Sequence, residues 1–268
     1  MLVTSGAASL AYDIDGEPAD QPDLLLIHAG VTDRRSWRPL IAALGEGRRI
    51  VSFDQRGYGE TTYQMEPFNK FDDALAVMDA VGLEDPVVVG ASMGGKAAID
   101  LALEHPDRVA ALVLIGPAIS GAPDGGPFDE PLASMDTALD TAFEAGDFDE
   151  VNRLEAHLWL DGPTAPEGRV GGETRALFLE MNRRALTADD PGDDAREMDA
   201  WQRLEELTMP ILVLVGDLDL PFIIRNCHQI RDRAKDARLV ELHGVAHLPH
   251  FEADPACFAE IKRFLGAL

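Results

Sequence analysis

The sequence predicts an α/β fold: a mostly parallel central sheet flanked by helices, interrupted once by an inserted helical cap. Three observations carry this reading. Apolar, strand-like runs alternate with amphipathic segments along most of the chain, as in repeated strand–helix units. The run Val87-Val88-Val89 leads through a glycine-rich turn straight into a helical pattern in which Ala97, Ala98, Leu101 and Ala102 recur at helical spacing. Between Ile115 and Ile211 the rhythm breaks for a stretch too long to be a structureless loop in a compact domain.

Each element follows in order. The first fifteen residues end at the turn signal Asp15-Gly16 and read as an edge strand or hairpin. Buried strands are expected at residues 24–28, 49–53, 87–89, 109–115, 211–215 and 238–242. Helices are expected at residues 37–44, 71–81, 93–103, 221–234 and 256–265. Inside the long interval, helical patterns at residues 132–145, 151–160 and 174–186 are separated by breaks such as Gly162-Pro163 and Gly171-Gly172. They predict a cap over the carboxyl ends of the strands. The expected division is a core of residues 1–118 and 200–268 and a cap of residues 119–199.

Composition narrows the partners. A chain of 268 residues with a formal net charge of −25 is repelled by nucleic acid and by anionic membrane surfaces, so neither is an expected partner. The acidic residues are scattered, with clusters at Asp189-Asp190 and Asp193-Asp194, and read as a solvated surface. No apolar stretch approaches the ~18 residues of a membrane span, and no secretory leader is visible, so a cytoplasmic protein is expected. Cys227 and Cys257 are too few for a disulfide framework and read as free thiols. No metal-ligand spacing and no phosphate-cradling loop is present, so no metal and no cofactor is expected.

The chemistry sits in Gly90-Ala91-Ser92-Met93-Gly94-Gly95. A serine on so tight a strand-to-helix turn is held in strained geometry, and the positions two before and two after it must lack a Cβ. Gly90 and Gly94 meet that demand. A serine hydroxyl needs a base, and the base an orienting carboxylate. After the strand at residues 211–215 come Asp217 and Asp219, which compete for the acid role. After the next strand come His243, His247 and His250, of which His247 follows Gly244-Val245-Ala246 and is the expected base. An oxyanion hole would draw one amide from Met93, after the serine, and one from Gly30 in the loop after the first buried strand. His28 is expected to brace that loop.

Taken in this order and spacing, these pieces resemble the α/β-hydrolase superfamily over nearly the whole chain. The matching segments are His28-Ala29-Gly30, Asp54-Gln55-Arg56-Gly57-Tyr58-Gly59, the serine turn, Gly216-Asp217-Leu218-Asp219 and Gly244-Val245-Ala246-His247. Ala29 departs from the glycine common in relatives. The resemblance implies a mainly structural role for the loop 54–59 and favours Asp219 over Asp217, whose other reading is a turn or cap. It also implies that a serine nucleophile, unlike an aspartate, attacks a carbonyl.

The expected activity is therefore hydrolysis of a carboxylic ester, thioester or lactone of a small to medium, fairly apolar molecule through an acyl-enzyme. An enol-lactone or C–C bond (vinylogous diketone) hydrolase of aromatic catabolism is the alternative, with a ligand-binding protein of little turnover behind it. The pocket is expected to draw on Val31, Phe128, His157, Trp159, Phe178 and Met181, although each cap residue also reads as internal packing. Arg175, Arg183 or Arg184 would clamp a substrate carboxylate in the C–C reading, or be solvated.

Overall fold

Glycine at position 6, with φ of 53°, folds the first two strands, β1 (Leu2–Ser5) and β2 (Ala8–Asp15), into an antiparallel hairpin. In this computed structural model, which describes residues 1–123 and 125–268, that hairpin opens a nine-stranded sheet among the described residues. The remaining strands are β3 (Leu24–Ile27), β4 (Ile50–Phe53), β5 (Thr62–Tyr63), β6 (Val87–Ala91), β7 (Ala111–Ile115), β8 (Ile211–Gly216) and β9 (Ala237–Leu242). The order is β1-β2-β4-β3-β6-β7-β8-β9, with the short β5 beside β2. From β4 to β9 every pairing is parallel, while β2 runs antiparallel to its neighbours.

Alternate side chains of the parallel strands build two separate apolar layers, as a two-residue period requires. Leu25, Ile27, Val88, Leu112, Leu114 and Val213 join one layer with α2 (Lys70–Val81), α3 (Met93–Glu104) and α7 (Pro221–Arg233). Leu24, Leu26, Val87, Val89, Val113 and Leu212 join the other with α1 (Arg38–Leu44) and α8 (Pro255–Leu265). Cys227 and Cys257 are buried free thiols on opposite layers, and desolvation pushes both above the usual thiol range. Among the described residues no helix is long and apolar enough to cross a membrane.

The interval between β7 and β8 carries α4 (Leu132–Glu144), α5 (Phe148–Glu155) and α6 (Gly172–Leu186), where helical patterns were expected. One expectation needs correction. The helix at 151–160 does not run through: α5 ends at Glu155 and widens into a π-helical turn over Ala156–Asp161. The extra residue per turn resets which side chains face the sheet. A smaller difference lies at residue 37, where a 3₁₀ turn over Arg34–Trp37, capped by the Asp33 carboxylate, precedes α1. The acidic clusters are also less free than their solvated reading. Asp194 lies between Lys70 and Lys96 at 3.2 and 3.1 Å, binding two of the chain's four lysines to the returning insertion.

Arg56 is a scaffold residue. Its guanidinium is buried and makes a bidentate pair with Asp73 of α2 at 2.9 and 3.0 Å. It also reaches Glu66 at 2.7 Å and the Ser5 carbonyl at 2.9 Å, so one cation joins the hairpin, the loop after β4 and α2. Without Asp73 the buried guanidinium keeps only the partly exposed Glu66 as counter-charge and loses its bidentate partner. Asp73→Ala is expected to cost about 3–5 kcal/mol in urea unfolding, and a loss below about 1 kcal/mol would contradict the role.

His250 is stacked on Trp37 with ring centroids 4.2 Å apart, and burial depresses it to about 3. The unfolded chain binds this proton from about pH 6.5 downward and the folded chain does not. Stability should therefore fall as pH drops from about 6.5 toward 3, with a contribution of up to about 1.4 kcal/mol per pH unit from this group. His250→Phe should make the urea midpoint less sensitive to acid over that window; an unchanged slope would contradict the assignment.

Candidate active site

Ser92 stands between β6 and α3 with φ of 51° and ψ of −115°, a left-handed region that a non-glycine residue enters only under strain. Its backbone is fixed from both sides. The Ser92 amide donates to the Ile115 carbonyl at 2.9 Å, and its carbonyl accepts from Lys96 and Ala118 at 3.0 and 3.1 Å. A Cβ on Gly90 would run into the Gly94 carbonyl, and one on Gly94 into the carbonyls of Ile27 and His28. The spacing requirement read from the sequence is thus a packing requirement.

Asp219 and His247 meet at the carboxyl ends of β8 and β9. The His247 Nδ1 and Asp219 Oδ2 lie 2.7 Å apart, and both side chains are buried. With Nδ1–H donating to the carboxylate, Nε2 carries the lone pair. That Nε2 is buried and has no partner among the described residues. Gly116, which follows the strand end bonded to Ser92, backs the pair: a Cβ there would come within 3.0 Å of Nδ1 and 3.1 Å of Oδ2. Ser92, Asp219 and His247 are therefore gathered at one edge of the sheet.

The competing residues have other work. Asp217 accepts from the Gly244 amide at 2.7 Å and pairs with the exposed His243 at 2.5 Å, so it closes the turn after β9. His28 is buried, with Nε2 accepting from the Gln55 amide at 3.0 Å. Its Nδ1–H therefore points to the Ala29 carbonyl, 2.8 Å away. Desolvation holds it below the usual histidine range, as a brace that stays neutral requires. Beside this brace, a Cβ on Gly30 would lie 3.6 Å from the Met93 sulfur, so the two loops are in contact. Among the described residues neither the Gly30 nor the Met93 amide donates a hydrogen bond to another residue.

The insertion closes over this edge. Trp159, in the π-helical turn, lies against His247 with ring centroids 4.8 Å apart and planes 46° apart. At Gly162 the turn passes so close to the core that a Cβ would meet the Leu218 carbonyl at 2.8 Å. Arg169 fixes the approach: it holds Glu252 at 2.6 and 2.8 Å and the carbonyls of Leu160 and Asp161 at 2.8 and 2.7 Å.

A cavity of about 150 Å³ opens beside Trp159, walled by Phe128, Leu132, Met135, Leu139, Leu158, Leu220 and Phe222, with the exposed Asp136 at its rim. Of the expected pocket residues, Phe128 and Trp159 line it. The others do not. Phe178 and Met181 are buried among Ala156 and Leu160, and Val31 packs against the same layer, because the apolar face of α6 has its own neighbours to cover. His157 is drawn away by a 2.9 Å contact with the Ala165 carbonyl. Leu132, Met135 and Leu139 were missed, although their i, i+3, i+7 spacing marks one face of α4. A wider cleft of about 520 Å³ lies at the amino ends of β6 and β7, walled by Asp79, Glu84, Asp85 and Asp107, at the other end of the strands from Ser92. Of the three arginines named for a carboxylate clamp, Arg175 pairs with Asp161 and Arg183 with Asp149, each at 2.7 Å, while Arg184 is exposed and makes no ion pair among the described residues.

Comparison with known proteins agrees with this architecture. A profile of the alpha/beta hydrolase fold matches residues 22–254. Among curated relatives, the putative carbamate hydrolase RutD of Caulobacter vibrioides is 36% identical over 111 residues, 40% of this chain and 41% of that protein, so the chain spans about two fifths of that relative's length. The pimeloyl–acyl-carrier-protein methyl ester esterase of Aliivibrio salmonicida is 25% identical over 266 residues, 96% of each chain. The crystal structure of a hydrolase from Pseudomonas aeruginosa PA01 matches with a TM-score of 0.77 at 27% identity, covering 99% of this chain and 97% of that one. By its sheet order, its strained strand-to-helix turn and a profile match over most of its length, the chain belongs to the α/β-hydrolase fold family.

Proposed function

We propose that the protein is a serine hydrolase that cleaves a carboxylic ester, thioester or lactone of a small to medium, fairly apolar molecule. The observation that carries this reading is the buried Asp219–His247 pair, whose free Nε2 lies in the same strand-end cluster as the strained Ser92. The esterase among its relatives is consistent with it.

Ser92 Oγ attacks the substrate carbonyl carbon as His247 Nε2 takes the hydroxyl proton, and the carbonyl oxygen becomes an oxyanion. The Met93 and Gly30 amides donate to that oxyanion, helped by the positive end of the α3 dipole; one such donor is typically worth about 3 kcal/mol in the transition state. Collapse of the tetrahedral species breaks the bond to the leaving alcohol, which receives the proton from His247. Water then attacks the acyl-enzyme, again through His247, and releases acid and free Ser92. Asp219 keeps Nδ1–H in place and balances the imidazolium. The cavity beside Trp159, walled mainly by apolar side chains, takes the hydrophobic part of the substrate.

The C–C hydrolase alternative requires a cation for an acidic ring-cleavage product. Arg175 and Arg183 are already paired and Arg184 is exposed, outside the cavity lining, which favours the ester reading.

Ser92→Ala is expected to lower hydrolysis of p-nitrophenyl butyrate by about 10³-fold or more, with an unchanged unfolding midpoint. A rate unaffected by that change overturns the assignment, and a binding protein without turnover would show no Ser92-dependent rate at all. Asp219→Asn, which keeps the shape but misdirects the histidine tautomer, should cost about 10³–10⁴-fold in kcat, whereas Asp217→Asn should leave kcat within about threefold.

A further inference from the structure

The loop after β4 reads from the sequence as scaffold, and most of it is. It wraps the Asp54 carboxylate, which accepts from the Arg34 amide at 2.9 Å and the Glu60 amide at 2.7 Å, while the Thr61 hydroxyl donates to the Asp54 carbonyl at 2.6 Å. Gly57 and Gly59, with φ of 89° and 51°, make the turn, and a Cβ on Gly59 would collide with that carboxylate. Tyr58 stands between the two glycines, and its side chain makes none of these bonds.

That side chain is fixed against the reacting edge instead. In the sheet order β4-β3-β6 the loops after these three strands are neighbours. The Tyr58 ring packs edge-on to the buried His28 ring, with centroids 5.0 Å apart and planes 66° apart. Its hydroxyl donates to the Met93 sulfur at 3.9 Å and is the atom nearest to a Cβ built on Gly30, at 3.4 Å. Met93 follows Ser92 directly, and Gly30, Tyr58, Ser92 and Met93 all keep part of their surface open between the buried neighbours Ala29, Gly59, Ala91 and Gly94. Among the described residues the Tyr58 hydroxyl has no nitrogen or oxygen partner, whereas Tyr63 in β5 gives its proton to the Asp189 carbonyl at 2.6 Å. A thioether is a weak acceptor on a side chain with three rotatable bonds, so a charged oxygen displaces it. Desolvation, and after it the charge of Glu155, push the phenol up to about 12, and it keeps its proton through the neutral range.

We propose that the Tyr58 hydroxyl is a third donor to the oxyanion, beside the Met93 and Gly30 amides, and moves from the Met93 sulfur to the substrate oxygen as charge develops there. This rests on the reading of Ser92 as nucleophile. Charge-assisted hydrogen bonds are roughly twice as strong as neutral ones, so the bond lowers the barrier more than it tightens binding of the uncharged ester. The donor is held ready for that moment: His28, fixed in turn by the Gln55 amide, sets the ring, and the two glycine turns set the backbone.

Tyr58→Phe removes one oxygen and keeps the ring. In p-nitrophenyl butyrate hydrolysis it should lower kcat about ten-fold or more and leave KM within about two-fold, because acylation and deacylation both pass through the oxyanion. A displaced loop would disturb trigonal and tetrahedral ligands alike, so two inhibitors separate the roles. Trifluoromethyl butyl ketone takes Ser92 Oγ onto its carbonyl carbon, with the hydroxyl proton passing to His247, and its carbonyl oxygen becomes an anion; methyl butyl ketone stays trigonal and neutral. Tyr58→Phe should weaken inhibition by the fluoroketone about ten-fold and by methyl butyl ketone less than about two-fold. Equal weakening of both, or a kcat within about two-fold of the wild type, overturns the proposal and leaves the nucleophile assignment intact. An equal rate in Ser92→Ala and the wild type overturns both. Should Tyr58→Phe fail to fold, 3-fluorotyrosine in place of Tyr58, a stronger acid of nearly the same shape, decides: it should tighten fluoroketone inhibition relative to methyl butyl ketone, and an unchanged ratio overturns the proposal.

Discussion

Three stretches of backbone meet at the carboxyl edge of the sheet with no room for a side chain between them: the end of β3 at Ile27, the end of β6 at Gly90, and the first turn of α3 at Gly94. This close approach is the constraint from which the rest of the site follows. It makes α3 start within two residues of a buried strand, which forces the residue between them, Ser92, to a φ of 51°. It also brings the β3 loop alongside the start of α3, where a Cβ on Gly30 would touch the Met93 side chain. The cost of the strained φ is offset by the packing on either side, where Ala97, Ala98 and Ala102 let α3 lie close to the sheet.

A second set of close approaches couples the insertion to that edge. Gly216 sits against the carbonyls of Val245 and Ala246, which locks the Asp219 loop to the His247 loop, and Gly162 sits against Leu218 of the same loop. Arg169 closes the arrangement by binding Glu252 and two carbonyls of the π-helical turn. Glu252 in turn accepts from the Ala246 amide at 3.1 Å. The placement of Trp159 on His247 therefore depends on one arginine and on backbones that touch directly, and the apolar cavity beside it inherits that placement.

Electrostatics are arranged so that most charges near the site are already matched. Arg34 binds Asp13, Asp54 and Glu60; Arg35 binds Asp33 and Glu180; Arg175 binds Asp161. With 48 acidic and 23 basic residues, cations are the scarce species, and in the insertion Arg153, Arg169, Arg175 and Arg183 are all paired with carboxylates.

The sequence by itself determined the sheet and the strand-end positions of Ser92, Asp219 and His247, because buried parallel strands, a strand-to-helix glycine turn and loops after strands are local patterns. The insertion's helices were legible for the same reason. The lining of the cavity and the capture of the cap arginines were not. Phe178 and Met181 look no different in sequence from Leu132 and Met135, since all are apolar residues at helical spacing, and only the packing of α4 and α6 decides which of them meet the cavity. Asp161 and Arg169 act through partners that lie 14 and 83 residues away, at separations for which a single sequence carries no signal. Local periodicity is written residue by residue into the chain, whereas the shape and charge of the space above Ser92 exist only once distant segments have been brought into contact.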